Sequence, residues 1–136
     1  MEKSNFSHIV AWVDLKNLGF YKDLFAFLNW TVLYDDPNML GVGDENGGSL
    51  WFGAPLKDHA NDYDGKGVNH IGIGVKRQED VDATVEYLAK RGIPALFETP
   101  RHRPEFSGTD TTYYQVMFET PDKLLLEVVY TGPKSA

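Results

Sequence analysis

The sequence predicts an α+β domain built from two tandem β-α-β-β-β modules. One order of apolar patterns, a strand, a helix and then three strands, occurs twice along the 136 residues of the chain. A His-Ile dipeptide lies near the start of each copy, at His8 and at His70. We therefore expect one domain over about 6–131, with module one over about 6–55 and module two over about 68–131.

The hairpins that close the two modules also superpose. Leu40 lies eleven residues before Trp51, and Val116 lies eleven residues before Glu127. Because the two halves align here without a gap, Trp51 and Glu127 are predicted to occupy equivalent positions. The two histidines are predicted to be equivalent in the same way.

Module one begins with alternating apolar residues. The alternation predicts a strand over 6–13, with His8, Val10 and Trp12 on one face. Apolar residues at helical spacing then predict an amphipathic helix that ends near Asn29. The remaining strands are predicted over 31–34, 39–43 and 49–53, with a turn-forming sequence over 44–48.

Module two repeats this order after a polar connector over 56–66. Its helix is expected to begin at Glu79 or Asp80 and to end at Gly92, with Thr84 on the outer surface. The residues expected on the core side of this helix are Val81, Val85, Leu88 and Ala89. The strands of module two are predicted over 68–75, 94–98, 113–118 and 124–130.

The last predicted strand carries one carboxylate, Glu127, inside a continuous apolar run. A strand this apolar should be buried on both faces, and an isolated buried carboxylate costs on the order of several kcal/mol. Three kinds of compensation are open: a Lys or Arg partner, a raised pKa that leaves the group neutral, or a metal ion. The two predicted strands that each carry a His followed by Ile, at His8 and at His70, bear on this choice.

The composition limits the chemistry. The chain has no cysteine, so a metal would be held by His, Asp or Glu, and thiolate chemistry is excluded. The net charge of −7 argues against nucleic acid as a partner. No apolar run approaches the ~20 residues that span a bilayer, and no signal sequence is evident, so we expect a soluble cytoplasmic protein without a membrane partner.

The duplicated modules, the two histidines and the motif Pro121-Asp122-x-x-x-Leu126-Glu127 together resemble the vicinal oxygen chelate superfamily. This superfamily includes glyoxalases, extradiol dioxygenases and bleomycin-resistance proteins. The resemblance implies that the mixed sheets form an incompletely closed barrel and that the protein is a homodimer. It also implies one divalent metal ion (Fe, Ni, Zn, Mn or Co), with ligands at His8, His70 and Glu127.

Such a site implies a glyoxalase- or dioxygenase-type enzyme for a small vicinally oxygenated substrate, in which the metal stabilises an enolate- or alkoxide-like oxyanion. The alternative is a ligand-sequestering protein similar to the bleomycin-resistance proteins. Either histidine alone would more often be a hydrogen-bonded strand residue than a metal ligand. The metal is favoured because His8, His70 and Glu127 all occupy equivalent or expected positions of the duplicated module.

Two positions depart from subfamily patterns. Nickel- and zinc-type glyoxalases resemble this chain but place a fourth ligand, a Glu, where this sequence has Trp51. Extradiol dioxygenases and fosfomycin transferases commonly carry a catalytic Tyr ten residues before the Glu, where this sequence has Met117. Tyr113 and Tyr114 lie nearby, but a shift of three residues reverses the face of a strand.

The stretch 99–110 is long for a structureless connection, which is typical of a lid or binding loop. Arg101 and Arg103 are candidates to bind a substrate carboxylate or phosphate, and His102 is a candidate acid or base. Trp51 and Tyr114 are candidates to line an apolar binding site. The alternative for the whole stretch is a solvated loop.

Overall fold

The computed structural model describes residues 1–134, and the chain separates into two compact units, Met1–His59 and the residues from Ala60 onward. Each unit is one β-α-β-β-β module with its own four-stranded mixed sheet, so the α+β class and the tandem repeat are confirmed. Among the described residues, no helix has the length and apolar character needed to cross a membrane.

The first unit contains one helix and one open sheet. Its elements are β1 (His8–Trp12), α1 (Leu18–Phe27), β2 (Thr31–Asp36), β3 (Met39–Gly43) and β4 (Ser49–Gly53), with a short 3-10 helix at Leu15–Asn17 before α1. The strand order is β1-β4-β3-β2, with β1 and β4 parallel and the other pairs antiparallel. The two edge strands of this sheet are β1 and β2.

The second unit has the same topology. Its elements are β5 (Ile71–Val75), α2 (Gln78–Lys90), β6 (Leu96–His102), β7 (Thr111–Glu119) and β8 (Leu125–Pro133), with a 3-10 helix at Pro104–Phe106. The strand order β5-β8-β7-β6 and the parallel β5–β8 pair match the first sheet strand for strand. The last strand, β8, therefore lies inside the sheet between β5 and β7.

The strand register confirms the predicted equivalence of the two halves. Val10 pairs with Trp51 in the parallel β1–β4 pair, and Gly72 pairs with Glu127 in the parallel β5–β8 pair. Each histidine lies two residues before the pairing residue of its own unit. Trp51 in the first sheet and Glu127 in the second therefore occupy the same position of the repeat.

Aromatic packing fixes α1 onto the first sheet. Tyr21, Leu24 and Phe25 are buried on the inner side of α1, and the Tyr21 ring stacks on Phe52 with centroids 4.3 Å apart. Burial of such side chains stabilises a fold by roughly 1.5–3 kcal/mol each. The side chains of His8, Val10 and Trp12 are exposed on the opposite face of the sheet, as the alternation predicted.

The second helix begins at Gln78, one residue before the predicted start, because the Asp80 carboxylate accepts a hydrogen bond from the Arg77 backbone N–H at 3.1 Å. The prediction that Thr84 lies outside was wrong, since Thr84 is fully buried. Its hydroxyl donates to the carbonyl of Asp80 at 2.8 Å, so the polar group is satisfied within the helix. Ala89, predicted on the core side, is exposed.

The stretch predicted as a loop over 99–110 is partly regular, because β6 continues to His102 and a 3-10 helix follows. The pairing of β6 is interrupted after Leu96 by Phe97 and Glu98, which both have positive φ. Buried Thr99 bridges the interruption: its hydroxyl donates to the Leu96 carbonyl at 2.6 Å and accepts from the Met117 N–H at 3.0 Å. A side chain thus replaces ladder hydrogen bonds, which sequence periodicity does not reveal.

Candidate functional site

Glu127 lies on the face of the second sheet that is turned away from α2. Only 3% of the residue is exposed, which confirms the burial predicted from its apolar run. Val128, the next residue along the strand, and its register partner Val116 point the other way and are buried in the core beneath α2. The strand alternation places Tyr113 and Gln115 on the same face as Glu127.

Two neutral side chains donate hydrogen bonds to the Glu127 carboxylate. The Tyr113 hydroxyl lies 2.9 Å from Oε1 and 3.0 Å from Oε2, and the Gln115 carboxamide nitrogen donates to Oε2. Burial first, and then this hydrogen bond, raises the pKa of Tyr113 to about 12, so it remains a donor at neutral pH. Protein donors thus offset part of the desolvation cost of the carboxylate.

Sequence reasoning missed both donors. Tyr113 lies four residues before Met117, and an even spacing keeps it on the same strand face. The reversal expected for a shift of three applies to Tyr114 but is wrong for Tyr113. Gln115 carried no signal of its own, but its even spacing from Met117 in the sequence would have placed it on the Glu127 face.

Arg103 sets the orientation of the Gln115 side chain. Nη1 of Arg103 lies 3.0 Å from Oε1 of Gln115, while Nε lies 2.5 Å from a carboxylate oxygen of Glu105. A guanidinium only donates, so the Gln115 atom that faces it is the carbonyl oxygen. The NH2 group of Gln115 is therefore directed at Glu127.

His70 lies next to Glu127, immediately before β5, which begins at Ile71 and is thus shorter than the strand predicted over 68–75. Its Nε2 is 3.8 Å from Oε1 of Glu127, and its side chain is 37% exposed. Its Nδ1 is 2.7 Å from Oδ1 of Asn69, and the NH2 group of Asn69 donates to the carbonyl of Tyr63 at 2.8 Å. Because Asn69 presents its oxygen, Nδ1 of His70 is the donor in this contact, and in a neutral ring Nε2 would carry the lone pair.

The connector between the modules holds Asn69 in place. The Tyr63 hydroxyl donates to Glu119 at 2.6 Å, and the Asn61 NH2 group donates to the carbonyl of Lys123 at 2.8 Å. The hydrogen bond to Glu119, and next burial, raises the pKa of Tyr63 to about 12. These contacts attach the connector to the end of the β7–β8 hairpin, so the ring orientation of His70 is set by residues outside any strand.

His8 has a comparable local setting in the first unit. Its Nδ1 lies 2.9 Å from the hydroxyl of the preceding residue, Ser7. At the position equivalent to Glu127, the Trp51 indole donates to Ser49 at 2.9 Å and lies across Gly41. An indole N–H donates only, so Trp51 does not ligate a cation.

The same face of the first sheet presents aromatic side chains. Trp12 is 49% exposed and Tyr34 is 47% exposed, and the Tyr34 ring lies 6.2 Å from the Trp51 ring. The Tyr34 hydroxyl donates to Asp36 at 2.5 Å, which raises the pKa of Tyr34. This face therefore offers an apolar surface bordered by a carboxylate.

The structure does not bring His102 and Tyr114 together with Glu127. Both lie on the α2 side of the second sheet, where their rings are 4.6 Å apart and the Tyr114 hydroxyl donates to Asp82 on α2 at 2.5 Å. Burial, and next Asp82, raises the pKa of Tyr114 to about 12. Arg101 pairs in register with Gln115, on the Glu127 side, and its guanidinium is 4.0 Å from Glu98.

Within either unit taken alone, residues 1–134 do not assemble three His, Asp or Glu side chains around one point. The second unit supplies a pair, His70 and Glu127. The first unit supplies His8 at the equivalent position of its own β1. The predicted ligand set is thus divided between the two halves of the repeat.

Solved structures share this fold. A protein from Bacillus halodurans provisionally named a glyoxalase has a TM-score of 0.76 at 21% identity, covering 92% of this chain and 94% of that chain. A glyoxalase/bleomycin resistance protein from Albidiferax ferrireducens T118 has a TM-score of 0.73 at 19% identity, covering 92% and 98%. A glyoxalase/dioxygenase from Nostoc punctiforme has a TM-score of 0.68 at 14% identity, covering 94% and 91%.

At these identities the likeness shows the fold and nothing finer. A search of curated proteins found no match. A family model, however, matches nearly the whole chain, over residues 7–128. The chain belongs to the Glyoxalase/Bleomycin resistance protein/Dioxygenase superfamily.

Proposed function

We propose that the protein is a divalent-metal-dependent enzyme of the glyoxalase/dioxygenase type that acts on a small vicinally oxygenated substrate. His70 and Glu127 would be metal ligands from the second unit. His8, the equivalent histidine of the first unit, would be the third ligand. The observation that carries the proposal is the approach of Nε2 of His70 to Oε1 of Glu127, at 3.8 Å.

The tautomer of His70 explains why the short distance between Nε2 and Oε1 of Glu127 supports a metal site. Asn69 holds the proton on Nδ1, so in the neutral ring two lone pairs, on Nε2 and on Oε1, face each other. Two acceptors in a half-buried setting repel unless a proton or a metal ion lies between them. An imidazole nitrogen and a carboxylate oxygen are ordinary ligands for first-row divalent metals, so the donor set fits such an ion.

The second unit also supports a metal through the groups behind its ligands. Metal-binding histidines usually donate their other ring N–H to a protein oxygen, and His70 does so to Asn69. Ligating carboxylates are usually hydrogen-bonded in turn, as Glu127 is to Tyr113 and Gln115. These partners fix the ligands before any metal arrives, which lowers the entropic cost of binding it.

When bound, the metal would supply Lewis-acid stabilisation of an enolate- or alkoxide-like oxyanion. Arg101, on the Glu127 side of the sheet and partly exposed, would bind a substrate carboxylate or phosphate. Trp51 would present its indole face to the apolar part of a substrate. We place no acid or base role on His102 here, because it lies on the other side of the second sheet from Glu127.

Metal content of the whole chain tests the proposal. We expect protein purified without chelator, or reloaded with Fe, Ni, Zn, Mn or Co, to bind about one equivalent. The variants Glu127→Gln, His70→Ala and His8→Ala should each weaken binding by more than ~100-fold, beyond the effect of removing an outer partner. His102→Ala removes a histidine from the opposite face and should bind as the wild type does. Unchanged binding in the ligand variants would refute the site.

A second candidate is a ligand-sequestering protein that needs no metal. The observation that favours it is that Tyr113 and Gln115 already hydrogen-bond the buried carboxylate, so burial of Glu127 does not itself require a cation. The exposed rings of Trp12 and Tyr34 would contact an aromatic compound, and the net charge would favour a cationic one. A thermal-shift screen of cationic glycopeptides in excess chelator would support this candidate if one binds, and would remove it if none does.

We also propose that the protein is a homodimer, because the resemblance to its superfamily implies one. Sedimentation velocity of the full chain at several concentrations tests it. A dimeric species that persists on dilution would agree with the proposal, and a monomer throughout would contradict it.

A further inference from the structure

We propose that Arg103 and Gln115 are positioning residues that determine which oxygen of Glu127 faces His70 and is free to bind the metal. The proposal rests on the function proposed above. It assigns to Arg103 a role inside the protein rather than on a substrate. The carrying observation is a hydrogen-bonded chain from Arg103 through the Gln115 carboxamide to Oε2 of Glu127.

The orientation of the Gln115 carboxamide depends on its neighbours. A carboxamide can rotate to exchange its oxygen and nitrogen, and only its neighbours decide between the two states. Nη1 of Arg103, 3.0 Å from Oε1 of Gln115, permits only the state with the oxygen toward Arg103. The ionised Glu127 carboxylate only accepts and so favours the same state, and without Arg103 the carboxamide would lose the partner that holds its oxygen.

The two oxygens of the Glu127 carboxylate have different surroundings. The Gln115 NH2 group occupies Oε2, whereas Oε1 is the oxygen that lies 3.8 Å from Nε2 of His70. Tyr113 contacts both oxygens and so does not distinguish them. Gln115 is therefore the residue that makes the two oxygens different, and it directs Oε1 to the metal.

Arg103 is itself held in place by contacts of its backbone and its side chain. Its backbone N–H donates to the Tyr113 carbonyl at 2.7 Å, its Nε contacts Glu105, and its guanidinium lies 5.0 Å from the centre of the Phe106 ring. Its side chain is 24% exposed. These contacts from the 3-10 helix at Pro104–Phe106 hold the guanidinium against Gln115, so a long cationic side chain loses little further entropy in orienting it.

The metal-free protein offers the first test. In Arg103→Met we expect the side-chain NH2 signals of Gln115 to shift in a 15N–1H spectrum and to exchange faster with water. Arg91→Met is the matched control, because it removes a positive charge from the same unit at the end of α2, where the guanidinium contacts Tyr87. It should leave those signals in place. If Arg103→Met does not fold, Arg103→Lys, which keeps a donor, should give a smaller shift in the same direction.

Zinc affinity of the full chain is the second test. We expect Arg103→Met and Gln115→Met each to weaken Zn²⁺ binding by roughly 10–100-fold, the usual effect of removing a partner of a ligand. The double variant should bind no more weakly than Gln115→Met alone, since Arg103 acts through Gln115. Arg91→Met should bind Zn²⁺ as the wild type does.

Unchanged Gln115 NH2 signals in Arg103→Met, or losses that add in the double variant, would overturn the relay. The two proposals fail in different ways. If wild-type protein binds no metal, the proposed function falls, but the NH2 signals of the metal-free protein still decide whether Arg103 orients Gln115. If metal binds and the signals do not move, only the relay is wrong.

Discussion

Gly72 lies beside Glu127 in the parallel β5–β8 pair, and a Cβ atom at Gly72 would lie 3.1 Å from Oε1 of the carboxylate. The absence of a side chain at Gly72 thus leaves room for the oxygen that faces His70. In the first sheet the equivalent space beside Trp51 holds Val10. The small residue occurs in the unit that carries the carboxylate.

The first prediction follows from this contact. Gly72→Ala should displace the Glu127 carboxylate by a few tenths of an ångström and weaken metal binding, because the added methyl group meets Oε1. Gly74→Ala is the matched control on the same strand, with nothing within 4 Å of its new Cβ. It should keep wild-type affinity and stabilise the fold by up to about 1 kcal/mol. Equal metal affinities for the two variants would contradict the prediction.

The second prediction concerns the aromatic face of the first sheet. A Cβ atom at Gly41 would lie 2.5 Å from the Trp51 ring, so Gly41→Ala should force the indole aside. We expect a loss of about 1–3 kcal/mol in the free energy of unfolding, the usual cost of overpacking. Denaturant titration measures it. In a Trp51→Leu background the same Gly41→Ala change should cost much less, and equal costs in both backgrounds would show that the indole is not the obstacle.

The third prediction concerns the donors to the buried carboxylate. Tyr113→Phe should lower the free energy of unfolding by about 1–3 kcal/mol, since it removes a hydrogen bond to a buried charge. Tyr114→Phe removes a hydroxyl that pairs with exposed Asp82, and should cost about 0–1 kcal/mol. In Glu127→Gln the effect of Tyr113→Phe should shrink. A Tyr113 effect no larger than that of Tyr114 would contradict the role given to the hydroxyl.

The fourth prediction is a pH dependence. The pKa of Tyr63 is raised from 10.0 to about 12, first by its hydrogen bond to Glu119 and next by burial. As pH rises from about 10 to about 12, the unfolded chain loses this proton before the folded chain does, so stability present below pH 10 falls over this range. Tyr63→Phe should make the fall shallower, as measured by denaturant titration at several pH values. An equally steep fall in the variant would exclude Tyr63 as a contributor.

The repeat, the strands and the positions of His8, His70 and Glu127 could be predicted because each depends on local periodicity and on spacing along the chain. The apolar run around Glu127 predicted its burial correctly, since a strand inside a sheet must be apolar on both faces. The register of β1–β4 and β5–β8 then confirmed the equivalence read from the hairpins.

The partners of the site could not be predicted in the same way. Gln115 and Tyr113 reach Glu127 across a strand pair, so their role depends on register and on which way a carboxamide points. Asn69 acts on His70 only because the connector brings the carbonyl of Tyr63 to it. The extension of β6 depends on the Thr99 side chain, which bridges an interruption that no periodicity marks.

The most direct test of the proposed metal site is a 15N spectrum of the imidazole rings, recorded on the full chain before and after addition of Zn²⁺. In the metal-free protein we expect Nδ1 of His70 to carry the proton, as its contact with Asn69 requires. On addition of one equivalent of Zn²⁺, Nε2 of His70 should shift while Nδ1 keeps its proton, and Glu127→Gln should abolish the shift. A His70 ring that is unchanged at saturating Zn²⁺, or that is protonated on Nε2 and remains so, would contradict a metal between His70 and Glu127.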